Sequence, residues 1–192
     1  MDLVDLLERR GDRSAIVVDE AYIEFADVPS AVELLDRYPN LVVLRTLSKA
    51  LAFAGARCGA VMGPVEVIRI LNAIQAPYAM STPVVECVED ALQSAALDEA
   101  SGRIAAVVAE RERLMAAMSS FGFVATVWPS AANFFLIRVA DSTAVLRDAR
   151  KKGILLRDFG SSLPGCIRIT VGSRSENDRL LALFTGIAGG DA

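Results

Sequence analysis

The sequence predicts an α/β portion followed by an α+β portion, and three observations carry that reading. Two continuous apolar runs, "AIVV" from Ala15 and "LVVLR" from Leu41, bracket a helical pattern near "SAVELLDR". That order of strand, helix and strand is a βαβ unit, whose two strands pair in parallel. A long helical pattern follows at "SGRIAAVVAERERLMAAMSSFG". Beyond it the texture changes to four short strand-like runs interleaved with two amphipathic helices, which is the pattern of an antiparallel sheet with helices on one face.

The first strand is expected at Ala15 to Val18, its unbroken apolar character suiting burial on both faces. A helix is expected from Ser30 to Arg37, with Ser30 as its cap. The second strand then runs into Thr46-Leu47-Ser48-Lys49. Asp19 and Ser48-Lys49 therefore lie just past the carboxyl ends of neighbouring parallel strands, the edge at which open α/β sheets bind ligands. The third apolar run, "RCGAVMG", is separated from Lys49 only by Ala50 to Ala56. A parallel crossover needs a dozen residues or more, so this strand must run antiparallel, which returns Arg57 to the Lys49 edge.

Helices are expected at "GPVEVIRILNAIQ", with Pro64 in its first turn, and at "PVVECVEDALQSAAL". The loop "APYAMSTPV" separates them. In the last part, "FVATVWP", "ANFFLIRVA", "GILLRDF" and "CIRITVG" read as strands. "STAVLRDARKKG", closed by Gly153, and "SENDRLLALFTGIA" read as helices. The division falls into residues 1–105 and 106–192, with no internal repeat and no low-complexity linker.

Composition narrows the chemistry. Hydrophobic residues make up 53% of the 192 residues, too many for a disordered chain and enough to suggest apolar surface that waits for a partner. The net charge of -4 and the absence of a basic run argue against nucleic acid. No segment is long and apolar enough to span a membrane, and the start lacks the pattern of a signal peptide. Three widely spaced cysteines, Cys58, Cys87 and Cys166, form no CxxC, so a reducing, cytoplasmic setting is expected. There is no histidine. Acid–base chemistry therefore falls to Lys, Asp, Glu, Tyr or Cys.

Taken singly, Lys49 reads as a surface lysine, Asp19 as a cap, Tyr22 as a packed aromatic and Arg57 as an ion-pair partner. Their convergence on one sheet edge asks for a ligand that uses all of them. A lysine amine condenses with an aldehyde; a carboxylate keeps a pyridine nitrogen protonated; a phenol bonds a phenolic oxygen; a serine and a guanidinium hold a phosphate. Pyridoxal 5'-phosphate meets that description.

The blocks "VVDEAYIEF", "LRTLSKALAFAGARCG", "APYAMSTPV", "GILLRDF" and "CIRITVGSR" together resemble the fold-type-I aminotransferases, in register from Arg13 to the end of the chain. Within that family the likeness is nearest to histidinol-phosphate aminotransferase. Aromatic aminotransferases and threonine-phosphate decarboxylases share much of the pattern. The resemblance implies part of a large-domain mixed sheet followed by the small α+β domain. It implies that Lys49 forms the Schiff base and shuttles the proton, that Asp19 partners the pyridinium, and that Tyr22 bonds the phenolic oxygen. Ser48 and Arg57 correspond to phosphate ligands. Arg168 corresponds to the arginine that holds the acidic group of the substrate, and Arg157 to a supporting contact. Asn133 lies in a similar block and carries no clear role. An amino donor, a 2-oxo acid acceptor and a homodimer are implied as partners.

Members of that family are roughly twice this length. The expectation is a chain corresponding to the carboxyl-terminal half. The amino-terminal half would carry the ring-stacking aromatic, the Gly-containing phosphate turn and the remaining phenolic-oxygen contact. A non-catalytic, self-associating remnant is the alternative.

Overall fold

The computed structural model describes residues 2–190. The chain divides into two compact units, Met1–Ser101 and Gly102–Ala192.

The first unit opens with α1 (Leu3–Arg10), whose first turn is capped by the Asp2 carboxylate accepting from the Asp5 N–H. Strand β1 (Ile16–Asp19) pairs in parallel with β2 (Leu41–Thr46), and β2 pairs antiparallel with β3 (Gly59–Met62). The short link after Lys49 thus has the consequence expected of it. The alternation of β1 and β2 places Ile16, Val18, Leu41 and Val43 on one face, where they pack with Leu7, Ala31 and Tyr38. On the opposite face Val17 is 57% and Val61 44% exposed, although Val42 of β2, the partner of Val17, is buried. Burial of β1 on both faces, expected from its apolar run, is therefore corrected to burial on one.

The helix expected at Ser30 to Arg37 is a single 3-10 stretch at Ala31–Leu34, capped by Ser30 as expected. At Gly59 an added Cβ would meet the Arg45 carbonyl oxygen at 2.6 Å, so this end of the β2–β3 pair closes only around a glycine. Helix α2 (Val65–Ile74) starts after Pro64, which is its cap rather than a first-turn residue, and α3 spans Thr82–Ala91. Neither contains a buried residue.

Helix α4 spans Ser94–Met118, beginning seven residues before the expected start and running through Gly102. Beyond it come β4 (Val124–Val127), β5 (Phe134–Val139), α5 (Ser142–Lys151), β6 (Arg157–Asp158), β7 (Cys166–Thr170) and α6 (Arg174–Gly189). The second sheet has the order β4-β5-β7-β6, all antiparallel. Phe135, Ile137, Val139, Ile167, Ile169 and Val171 form its inner face and meet Leu114 and Met118 of α4, Val145 and Ala149 of α5, and Leu180, Leu183 and Phe184 of α6. Phe184 touches Phe121 and Phe123 at ring-centroid separations of 5.7 and 5.4 Å. Gly153, with φ 71°, turns the chain after α5 in the left-handed conformation expected of it. Among the described residues, no helix is long and apolar enough to cross a membrane.

Candidate functional site

One end of the first sheet collects the first group of candidate residues. Asp19 ends β1 opposite Leu44. Ser48 and Lys49 follow the last residue of β2. Arg57 stands two residues before Gly59, which faces Thr46 across the antiparallel pair. Parallel pairing brings the carboxyl ends of β1 and β2 level, and the antiparallel β3 returns the chain to that same end.

Local turns fix each side chain. The Asp19 carboxylate accepts from the Ala21 N–H at 3.0 Å, tying down the turn that leads to Tyr22. The Lys49 Nζ lies 5.4 Å from the centroid of the Tyr22 ring, a cation–π distance. Thr46 Oγ1 accepts from the Ser48 N–H at 3.1 Å and donates to Ser48 Oγ at 2.9 Å. The Leu47 N–H donates to the Cys58 carbonyl and the Phe53 N–H to the Leu47 carbonyl, so the Lys49 loop is braced from both sides. Arg57 adopts the left-handed conformation, φ 53° and ψ 35°, and donates from Nη1 to the Ala54 carbonyl at 3.0 Å. Asp19, Lys49 and Arg57 are exposed, while Tyr22 and Ser48 are half-buried.

Sequence reasoning passed over Glu20. It is 5% exposed. Its carboxylate accepts from Ser30 Oγ at 2.7 Å, from the Ala31 N–H and from Arg45 Nε at 3.0 Å. Burial pushes its pKa up, but the bonds from Ser30, Ala31 and Arg45 together outweigh burial and hold it below the ordinary glutamate value. The only signal in the sequence was the acidic pair Asp19-Glu20, one of which strand alternation must turn inward.

The second group lies in the second unit. Arg157 of β6 and Arg168 of β7 are direct cross-strand partners. The Arg168 guanidinium carbon lies 4.9 Å from the Phe134 ring centroid and 6.0 Å from that of Phe159. Its Nε is buried without a hydrogen-bond partner, a donor held ready for an acceptor. Phe134 and Phe159 were also absent from the sequence reading, although Phe134 follows Asn133 in the quoted block. The Asn133 backbone carbonyl accepts from the Val171 N–H at 2.9 Å, a structural contact.

The first group offers an amine, a carboxylate, a phenol, a hydroxyl and a guanidinium along one sheet end, a set suited to a phosphorylated carbonyl compound. The second sets two arginines directly opposite one another across a strand pair, one of them with a buried, unpartnered Nε. Residues 1–184 match the family model of aminotransferases of class I and II, and the chain belongs to that family. The histidinol-phosphate aminotransferase of Xylella fastidiosa (strain 9a5c) is 45% identical over 184 residues, which is 95% of this chain and 50% of that protein. The chain thus spans about half the length of the curated relatives it matches. The crystal structure of histidinol-phosphate aminotransferase from Sinorhizobium meliloti in complex with pyridoxal-5'-phosphate aligns with a TM-score of 0.77 at 28% identity, over 93% of this chain and 50% of that one. L-threonine-O-3-phosphate decarboxylase from Porphyromonas gingivalis aligns with a TM-score of 0.84 at 21% identity, over 97% of this chain and 58% of that one, a likeness of fold.

Proposed function

We propose that this chain supplies the lysine-bearing and acid-binding portions of a pyridoxal-phosphate-dependent histidinol-phosphate aminotransferase, which moves an amino group between L-histidinol phosphate and 2-oxoglutarate. The observation that carries the reading is Lys49 Nζ lying over the Tyr22 ring at the sheet end shared with Asp19. The donor set there fits the cofactor. When bound, pyridoxal phosphate supplies an aldehyde carbon and an electron-withdrawing ring that make the Cα proton of an amino substrate removable.

The residues divide the remaining work. The Lys49 amine holds the cofactor covalently and carries the proton taken from the substrate's Cα. The Asp19 carboxylate keeps the ring nitrogen protonated, and the Tyr22 hydroxyl donates to the phenolic oxygen. Ser48 and Arg57 hold the cofactor's phosphate. Arg168, supported by Arg157, holds the acidic group of the substrate through a fixed guanidinium fork. Residues 1–105 act as the cofactor-binding portion and residues 106–192 as the small domain. The full activity belongs to this chain together with the half of its relatives' length that it does not span, assembled as a homodimer in the cytoplasm.

The test has two arms. The 192-residue chain is titrated with pyridoxal phosphate, reduced with borohydride and digested, and the modified lysine is identified by mass spectrometry. Weak binding with selective modification of Lys49 is expected. Each absent charge-assisted hydrogen bond costs roughly 1.5–3 kcal/mol, so two or three absent contacts lower affinity by about two to six decades. In the second arm the chain is co-expressed with the other half of a relative and assayed with histidinol phosphate and 2-oxoglutarate. Random labelling of surface lysines overturns the cofactor reading, and activity with other amino donors alone overturns the substrate.

The open faces of α2 and α3, with Val65 at 80% and Ile74 at 75% exposure, favour a second reading, a self-associating remnant without turnover. Concentration-dependent sedimentation together with an inactive co-expressed complex would support it.

A further inference from the structure

We infer that the ion pair between Glu20 and Arg45 is a positioning element that sets where the Lys49 amine lies against Tyr22. The inference rests on the cofactor reading for its purpose, but its geometry stands apart from it. Arg45 sits on β2 between Leu44, which faces Asp19, and Thr46, whose hydroxyl grips Ser48. Glu20 begins the turn that carries Tyr22. The pair at 3.0 Å therefore ties the segment bearing Tyr22 to the segment bearing Lys49.

Strand pairing does not require this contact. The ladder between β1 and β2 already extends to the Glu20 N–H, which donates to the Leu44 carbonyl at 2.8 Å. The ladder leaves unfixed the path of each chain once its strand has ended. On the β1 side the Glu20 carbonyl receives the Ile23 N–H at 3.2 Å. Its carboxylate meanwhile gathers Ser30 and Ala31, where the chain returns after that turn. On the β2 side Arg45 completes the carboxylate's set of donors. The Glu20 side chain is 4% exposed and that of Arg45 36%, so water competes weakly for the carboxylate and the linkage is stiff. A displacement of about 1 Å at a reacting group costs about a hundredfold in rate, which makes such a brace consequential for Lys49.

The variants Arg45→Met and Arg45→Lys separate positioning from plain stability. Arg45→Met leaves the Ser30 and Ala31 bonds to Glu20 in place, and Arg45→Lys retains a cation. The cofactor-free readout is the upfield ring-current shift of the Lys49 ε-methylene protons over Tyr22, assigned by its loss in Lys49→Ala. Arg45→Met is expected to lose at least half of that shift while the chain remains folded by circular dichroism, and Arg45→Lys is expected to keep it. Borohydride trapping of pyridoxal phosphate at Lys49 should slow about tenfold or more in Arg45→Met and less than about twofold in Arg45→Lys. Should Arg45→Met fail to fold, Arg45→Gln, which removes the charge and likewise leaves the Ser30 and Ala31 bonds to Glu20 in place, gives the same comparison with the wild type. An unchanged Lys49 shift and trapping rate in a folded variant, even one of lowered melting temperature, overturns the inference. A wild-type shift that the variants lose, without selective trapping at Lys49 in the wild type, leaves the brace standing and overturns the cofactor reading instead.

Discussion

Arg157 and Arg168 face one another across the antiparallel pair of β6 and β7. Like charges at directly opposed positions destabilise a sheet by a few tenths to about 1 kcal/mol, and an anion bound between them removes that cost. Arg157→Thr is therefore expected to raise the melting temperature slightly in buffer free of polyvalent anions. The advantage should disappear as phosphate is added. Calorimetry with and without phosphate checks this, and a melting temperature for the wild type that phosphate does not raise would count against an anion between the two arginines.

Arg168 is the more committed of the pair, since its Nε is buried without a partner and its guanidinium packs on two phenylalanines. A lysine reproduces the charge but not the planar fork or the stacking. In the complemented enzyme, Arg168→Lys is expected to raise the KM for the phosphorylated donor by an order of magnitude or more, while Arg157→Lys does so less. Steady-state kinetics with histidinol phosphate decides it; equal effects would make the two arginines joint ligands.

Glu110 contributes to the acid response of the second unit, as does Asp148, whose pKa the hydrogen bonds from Arg147 and Lys151 also lower to about 2. The Glu110 carboxylate accepts from Arg113 at 2.6 Å, from Arg174 at 2.9 Å and from Asn177 at 2.9 Å. The hydrogen bond from Arg113 is the largest influence, and burial opposes it, leaving the pKa at about 2 against an ordinary 4.5. A pKa lowered in the folded state stabilises the fold above the unfolded value and loses that contribution as pH falls through the folded one. Stability should therefore decline between about pH 4.5 and pH 2. Glu110→Gln should remove part of that decline, leaving the share due to Asp148, and lower stability at neutral pH. Denaturant titrations at stepped pH check both.

The aromatic cluster of the second unit is the place where volume matters most. Phe184 is fully buried, and Phe184→Ala should cost about 3–5 kcal/mol. Hydrogen exchange should quicken in β5, β7 and α6. The open α2 and α3, which bury no residue, should already exchange quickly in the wild type.

How far the sequence reached depended on whether a feature was local. The direction of β3 followed from the length of the link after Lys49, and the cap at Ser30 from a single side chain. The level ends of β1 and β2 followed from the βαβ order, and with them the common position of Asp19, Lys49 and Arg57. The start of α4 was placed too late because Ser94 to Leu97 read as the end of the preceding helical pattern, whereas α3 ends at Ala91 and the break falls at 92–93. The Glu20 site lay out of reach because its partners, Ser30 and Arg45, are distant in sequence and nothing local says which of two adjacent acids turns inward. The packing of Phe134 and Phe159 on Arg168 was hidden for the same reason. It depends on the register of three strands that only the folded sheet defines.

The left-handed backbone of Arg57 carries a lesson for anyone engineering this chain. An L-residue enters that conformation at a cost of about 1–2 kcal/mol, whereas glycine enters it freely. Any procedure that ranks substitutions by folding energy will therefore favour Arg57→Gly, and will delete a guanidinium from the Lys49 end of the first sheet in doing so. A thermostabilised descendant of this protein selected on melting temperature alone would be drawn toward a robust scaffold that lacks the guanidinium proposed to hold phosphate. Position 57 should be held fixed in any such selection.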